Sequence, residues 1–217
     1  MGLAMVLVLH GMQLASLPPG VPISSRRDCV SRCYRQGTCT SVVYDGSTKK
    51  CHLSTEVYFE RDLTSTPNNM QYLVWRRDDC DKGYTWYRSL GLCYKIYTSM
   101  KTWFQANHTC HQDGGHLIKV DSAGINALMN RISDSHSVSI WLGGFQDDLN
   151  GKWTWPDGNV INPAYWDNTQ GNSVTEKCTT VYTSYKHEIR RWHDFLCTSI
   201  NVPMFVCQLP LKEEPYC

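Results

Sequence analysis

The chain has 217 residues, 41% hydrophobic and 19% charged, with a formal net charge of +1. That length holds one large domain or two small ones, the composition excludes a disordered chain, and the balanced charge excludes a basic field for nucleic acid or an anionic membrane. Eleven cysteines without a single C-x2-C pair argue against a cytosolic zinc protein and for disulfides formed in an oxidising compartment. At the N-terminus, Leu3 to Leu17 is apolar but interrupted by His10 and Gln13, too short and broken to span a bilayer. Residues 1–17 read either as a signal peptide, with small residues Ala15 and Ser16 at the cleavage point, or as a truncated first strand carrying Leu7-His10-Gly11.

Cys29, Cys33, Cys39 and Cys51 crowd into a short first module, whereas the later cysteines lie far apart. The change of density places a seam at Arg76-Arg77-Asp78-Asp79, four charged residues expected to stay in solvent. Ser24 or Ser25 caps a helix that carries Cys29 and Cys33 on one face. Ser41-Val42-Val43-Tyr44, the turn Asp45-Gly46 and Lys50-Cys51-His52-Leu53 follow as a hairpin.

Past the seam, Cys80 and Cys93 bracket an aromatic hairpin with Trp86, Tyr87 and Tyr94. Trp103, Ala106 and Cys110 fall at i, i+3 and i+7, one face of a helix that Gly114-Gly115 ends. A second helix starts at Asp121 or Ser122, with Ile125, Leu128, Met129 and Ile132 as its apolar stripe. Val138 to Leu142 alternates as a strand and runs into a Gly143-Gly144 turn. Short strands are expected at Trp153–Trp155, Thr179–Tyr182, Arg191–His193 and Met204–Gln208, with long loops between. The polar tail 211–217 lies outside any core.

The spacing C-x3-C-x5-C-x11-C over residues 20–77, with Val-Val-Tyr-Asp before its last cysteine, resembles a PAN/apple module. That resemblance implies bonds Cys29–Cys51 and Cys33–Cys39 and a closing strand at Gln71–Trp75. Residues 80–210, with six spaced cysteines around Trp141-Leu142-Gly143-Gly144, Trp153/Trp155 and Trp192, resemble the long form of the C-type lectin-like domain. The fold implied is α+β: two helices, small antiparallel sheets and a long loop, braced by Cys80–Cys93, Cys110–Cys207 and Cys178–Cys197. Trp141, Trp153 and Trp155 are expected in its core. Cys217 is left over, either a free thiol or a bridge between two chains in a disulfide-linked dimer.

Sugar-binding members of that family hold one calcium ion that coordinates protein and sugar hydroxyls together. The ligand positions implied here are Gln170 and Asn172, flanking Gly171, then Glu176 two before Cys178, then His193 and Asp194 after Trp192. Gln170, Asn172, Glu176 and Asp194 retain oxygen donors for calcium. Three departures count against it. Gly171 replaces a proline that follows a cis bond, and without proline that bond costs about 2.5–4 kcal/mol, so a trans bond is expected. His193 replaces an asparagine, and imidazole is a poor calcium ligand. The stretch Gln170–Glu176 is shorter than in sugar-binding relatives. An auxiliary calcium site would fall on Gln146 and Asn150, and no calcium is assigned there; Asp147 and Asp148 read as solvated loop acids.

Gln170, Asn172, His193 and Asp194, beside Tyr165, Trp166 or Tyr185, offer a calcium-free sugar site of hydrogen-bonding groups and flat rings; the alternative is that Trp192 and Trp166 are buried and the amides only cap loops. His108, His111 and His116 read as polar surface positions and not a zinc site. No catalytic motif is present. Asn107-His108-Thr109 fits the N-glycosylation rule. The expectation is a secreted, non-enzymatic recognition protein for glycans or glycoproteins, with calcium at most a weak participant. Its rival is a calcium-independent protein-recognition or adhesion module on the same scaffold.

Overall fold

The computed structural model describes residues 3–10, 12–14, 17–59, 62–65, 69–80, 83–147, 151–183 and 191–212. By contact density the chain divides into two units, Met1–Cys93 with Leu211–Cys217, and Tyr94–Pro210. Among the described residues no helix is long and apolar enough to cross a membrane.

The first unit opens with β1 (Leu3–His10), β2 (Met12–Leu14) and β3 (Gly20–Pro22), then α1 (Arg26–Arg35), β4 (Ser41–Asp45), β5 (Lys50–Ser54), β6 (Leu63–Ser65), β7 (Met70–Arg77) and β8 (Thr85–Tyr87). The five-stranded sheet runs β1-β7-β4-β5-β3, and β2 pairs separately with β6. Leu3–His10, open to two readings from sequence, lies antiparallel to β7. Ser25 caps α1 by accepting from the Asp28 amide, and Cys29 and Cys33 form the helix's buried face. Cys29–Cys51 staples that face to β5, and Cys33–Cys39 closes the turn after the helix.

One expectation is corrected at the seam. Arg77 is only 8% exposed. Its guanidinium donates to both carboxylate oxygens of Asp79 and to the Lys212 carbonyl, while the Lys212 amide returns a bond to Asp79. Arg76 and Asp78 are exposed as expected, and the one buried charge, Arg77, is tolerated because it is paired. Cys80–Cys93 lies just beyond it.

The second unit contains β9 (Leu92–Tyr97, which begins in the first), α2 (Trp103–Gln112), β10 (His116–Leu117), α3 (Ala123–His136), β11 (Ile140–Gln146), β12 (Trp153–Thr154), β13 (Cys178–Val181), β14 (Trp192–Phe195) and β15 (Met204–Leu209). Its strands run β14-β13-β11-β15-β9, with β10 on β15 and β12 on β11. Thr102 and Gln105 form a capping box for α2, and Ser122 caps α3. Trp141, Leu142, Phe205 and Met129 fill a core sealed by Cys110–Cys207, which joins α2 to β15. Cys178–Cys197 links β13 to the chain leaving β14.

Gly143 and Gly144 do not turn; they continue β11 through to Gln146. A Cβ on Gly143 would stand 2.6 Å from the Leu117 carbonyl, and one on Gly144 would stand 2.6 Å from Ile161 and Thr179. Close backbone approach, and not a reversal of direction, is what these two positions require.

Candidate ligand-binding site on the long loop

Between β12 and β13 the chain crosses a long stretch with no strand, and indoles hold it in place. Trp192, fully buried, donates its indole N–H to Asn126 Oδ1 on α3 at 3.0 Å. Trp155, Tyr165 and Trp166 pack against it at centroid distances of 5.4, 5.2 and 6.1 Å. Trp166 in turn meets Trp153 at 4.8 Å. Gly171 adopts φ +83°, and a Cβ there would lie 3.0 Å from the Trp166 ring. Trp153 donates its indole N–H to the Gly171 carbonyl at 3.1 Å. The peptide bonds of the described residues are all trans, so the 170–171 bond is trans and its following carbonyl is spent on Trp153.

The polar half of the loop folds over Asp194. That residue is 3% exposed and accepts the Ser173 amide at 2.8 Å, while Ser173 Oγ accepts the Glu176 amide at 3.1 Å. Burial, and then the neighbouring Asp194 charge, hold the Glu176 carboxyl above its usual range. Burial pushes the His193 imidazole below its usual value against the opposing pull of Asp167 and Asp194, which favours its neutral form. Its ring stacks on Tyr182 at 4.8 Å.

Of the residues picked out in sequence, Gln170 lines a cleft, Asn172 is exposed on the loop, Glu176 and Asp194 are electrostatic neighbours, and His193 is half-buried against Tyr182. The cleft holds about 450 Å³ and is bounded by Trp153, Trp166, Lys152, Asp167, Asn168 and Gln170. Trp153, expected in the core, is half-buried and forms one wall. Trp166 is largely covered at 8% exposure, in line with the alternative in which it and Trp192 are buried, and Tyr165 is half-buried against Trp192. Lys152, Asp167 and Asn168 went unnoticed, although the polar run 167–170 was the available signal. Asn107 is half-buried in α2, its amide oxygen buried without a hydrogen-bond partner. Asp148, Asn150, Tyr185 and Cys217 lie outside the described residues.

The model of the lectin C-type domain family matches residues 99–209, and that of the PAN domain matches residues 15–75. The chain belongs to the C-type lectin domain family. Regenerating islet-derived protein 3-alpha of Rattus norvegicus is 30% identical over 142 residues, 61% of this chain and 78% of that one. C-type lectin BpLec of Bothrops pauloensis is 31% identical over 132 residues, 57% and 93% of the two chains. Among solved structures, the cow C-type carbohydrate-recognition domain of CD23 superposes with a TM-score of 0.52 at 20% identity, covering 61% of this chain and 97% of that one. At that identity the likeness speaks for the fold.

Within this C-type lectin domain the donor set fits calcium poorly. A calcium ion takes six to eight oxygens at about 2.3–2.6 Å. Here one Asp194 oxygen is engaged by Ser173 and the Gly171 carbonyl is turned to Trp153. Restoring the family's proline as Gly171→Pro is expected to cost about 3 kcal/mol, because proline is locked near φ −65° and the site needs φ +83°. Urea unfolding reads that loss, and calorimetry of the variant is expected to show no gain in calcium uptake.

Glu176 gives a pH signature of defined sign. A carboxyl whose folded pKa is raised favours folding fully below its unfolded value of 4.5, and that contribution is lost as pH rises through the folded value. Glu176→Gln is therefore expected to raise the melting temperature at pH 7 by a small margin that vanishes at pH 4. A variant less stable at pH 7 would contradict the assignment.

Proposed function

We propose that the protein is an extracellular, non-enzymatic recognition protein that binds glycans at the long-loop cleft without a bridging calcium ion. The observation that carries this reading is the half-buried Trp153 indole, backed by Trp166, beside a rim of Asp167, Asn168 and Gln170. A pyranose ring has an apolar C–H face that rests on an indole, and hydroxyls that exchange hydrogen bonds with amides and carboxylates. The volume suits a small ligand. The relative BpLec is by its name a C-type lectin, and the cow domain was crystallised in the presence of a GlcNAc2Man3 oligosaccharide. Five disulfides support an extracellular setting. The same reading takes residues 20–77 as the PAN/apple-like module and 80–210 as the lectin domain. A glycan on Asn107 and a disulfide-linked dimer through Cys217 complete it; peptide mapping and non-reducing gels test these two points.

The test is a glycan array probed with the full chain. A defined set of glycans is expected to bind, and Gln170→Ala is expected to weaken that binding about tenfold. A second reading, recognition of a protein partner, is favoured by the exposed apolar side chains of Val160 and Val174, 66% and 84% accessible. A blank array would transfer the argument to that reading.

A further inference from the structure

The cleft above lies in the lectin domain, but a second concavity is built into the PAN domain. It lies between the C-terminal half of α1 and strands β3 and β5, with Pro19, Val21 and Leu53 giving an apolar floor and Arg32 and Arg35 a cationic wall. Its volume is about 480 Å³. β3 is the edge strand of its sheet, and among the described residues no further strand pairs beyond it.

The residues that line the groove include two cations, Arg32 and Arg35, and no carboxylate. Residues 23–54 carry six cations, Arg26, Arg27, Arg32, Arg35, Lys49 and Lys50, against two carboxylates, Asp28 and Asp45. Both carboxylates are already engaged. Asp28 accepts the Ser25 hydroxyl at the opposite end of α1, and Asp45 accepts the Ser47 and Thr48 amides and the Thr48 hydroxyl. Among the described residues Arg32 and Arg35 have no carboxylate partner, and both side chains are exposed. Arginines in a last helical turn suit the helix dipole. The dipole does not account for an apolar trough lying directly beside them.

We infer that this groove docks an acidic peptide segment of a partner protein, in which carboxylates alternate with apolar side chains. A guanidinium presents a planar fork of donors that matches a carboxylate, and Arg32 and Arg35, one helical turn apart, present two such forks. The apolar side chain between the carboxylates rests on Val21, Leu53 and Pro19. That aliphatic floor favours a peptide, whose side chains project into the trough, over a sulfated polysaccharide, whose rings offer only shallow C–H faces. Lys49, in the turn before β5, and Lys50, the first residue of β5, extend the positive field that draws the segment in.

The inference does not depend on the glycan reading, and the experiment keeps the two apart. A fluorescein-labelled peptide alternating Glu with Leu is titrated with the full chain and followed by anisotropy. The same is done with its Gln-Leu counterpart and with a sulfated dextran oligosaccharide. The Glu-Leu peptide is expected to bind, the Gln-Leu peptide to bind at least tenfold more weakly, and the affinity to fall as salt rises. Combined Arg32→Glu and Arg35→Glu changes are expected to weaken binding more than tenfold while the array pattern of the lectin domain is unaltered. These side chains are exposed, and the Arg32→Gln, Arg35→Gln pair provides the same test without charge reversal. No binding of the Glu-Leu peptide, binding indifferent to both arginine pairs, or capture of the sulfated oligosaccharide in place of the peptide would each overturn the inference.

Discussion

Replacing Cys110 and Cys207 together by alanine is expected to lower the unfolding free energy of the lectin domain by about 4–5 kcal/mol, the largest loss from removing any one of the five disulfides. The bond closes a loop of 97 residues, and the entropy that such a bond removes from the unfolded chain grows with loop length. It also joins α2 to β15 in a unit whose long loop between β12 and β13 contains no strand. By the same relation, removing Cys33–Cys39, with a separation of 6, is expected to cost about 2 kcal/mol. Urea unfolding of the two alanine pairs gives the comparison. Equal losses would mean that restriction of the unfolded chain is not how these bonds stabilise the protein.

Trp192→Ala is expected to cost a further large sum, about 3–5 kcal/mol, because it empties a fully buried indole site. The effect extends beyond stability. Trp155, Tyr165 and Trp166 all rest on that ring, and Trp166 forms a wall of the cleft. Glycan binding should therefore disappear in the alanine variant, even at temperatures where the domain stays folded. Trp192→Phe keeps a ring but loses the N–H to Asn126, and is expected to cost about 1–2 kcal/mol with weakened binding. Full binding by Trp192→Ala would detach the cleft from the aromatic cluster.

Periodic elements were legible in the sequence and the loop was not, for a physical reason. A helix repeats its core face every three or four residues, so Trp103, Ala106 and Cys110 located α2, and Ile125 to Ile132 located α3. Capping serines marked the starts of α1 and α3 because their hydroxyls have amides to accept from. Disulfide pairing came through family resemblance alone, since spacing leaves many pairings open. Gly143 and Gly144 misled because glycine serves both turns and close contacts, and which one applies depends on Leu117 and Thr179, distant in sequence. Arg77 misled similarly, its partners being Asp79 and the Lys212 carbonyl. Trp153 carries no local sign that it walls a cleft. Its exposure is set by Trp166 and Gly171, which approach it only in the folded chain.

The claim on which the functional account turns is that this loop can hold a sugar with no calcium ion between them. It is tested most directly by measuring binding isotherms for the strongest array glycan twice, once in millimolar calcium and once in excess chelator. The account predicts superimposable curves of equal affinity. Binding that appears only in calcium and vanishes on chelation would contradict it.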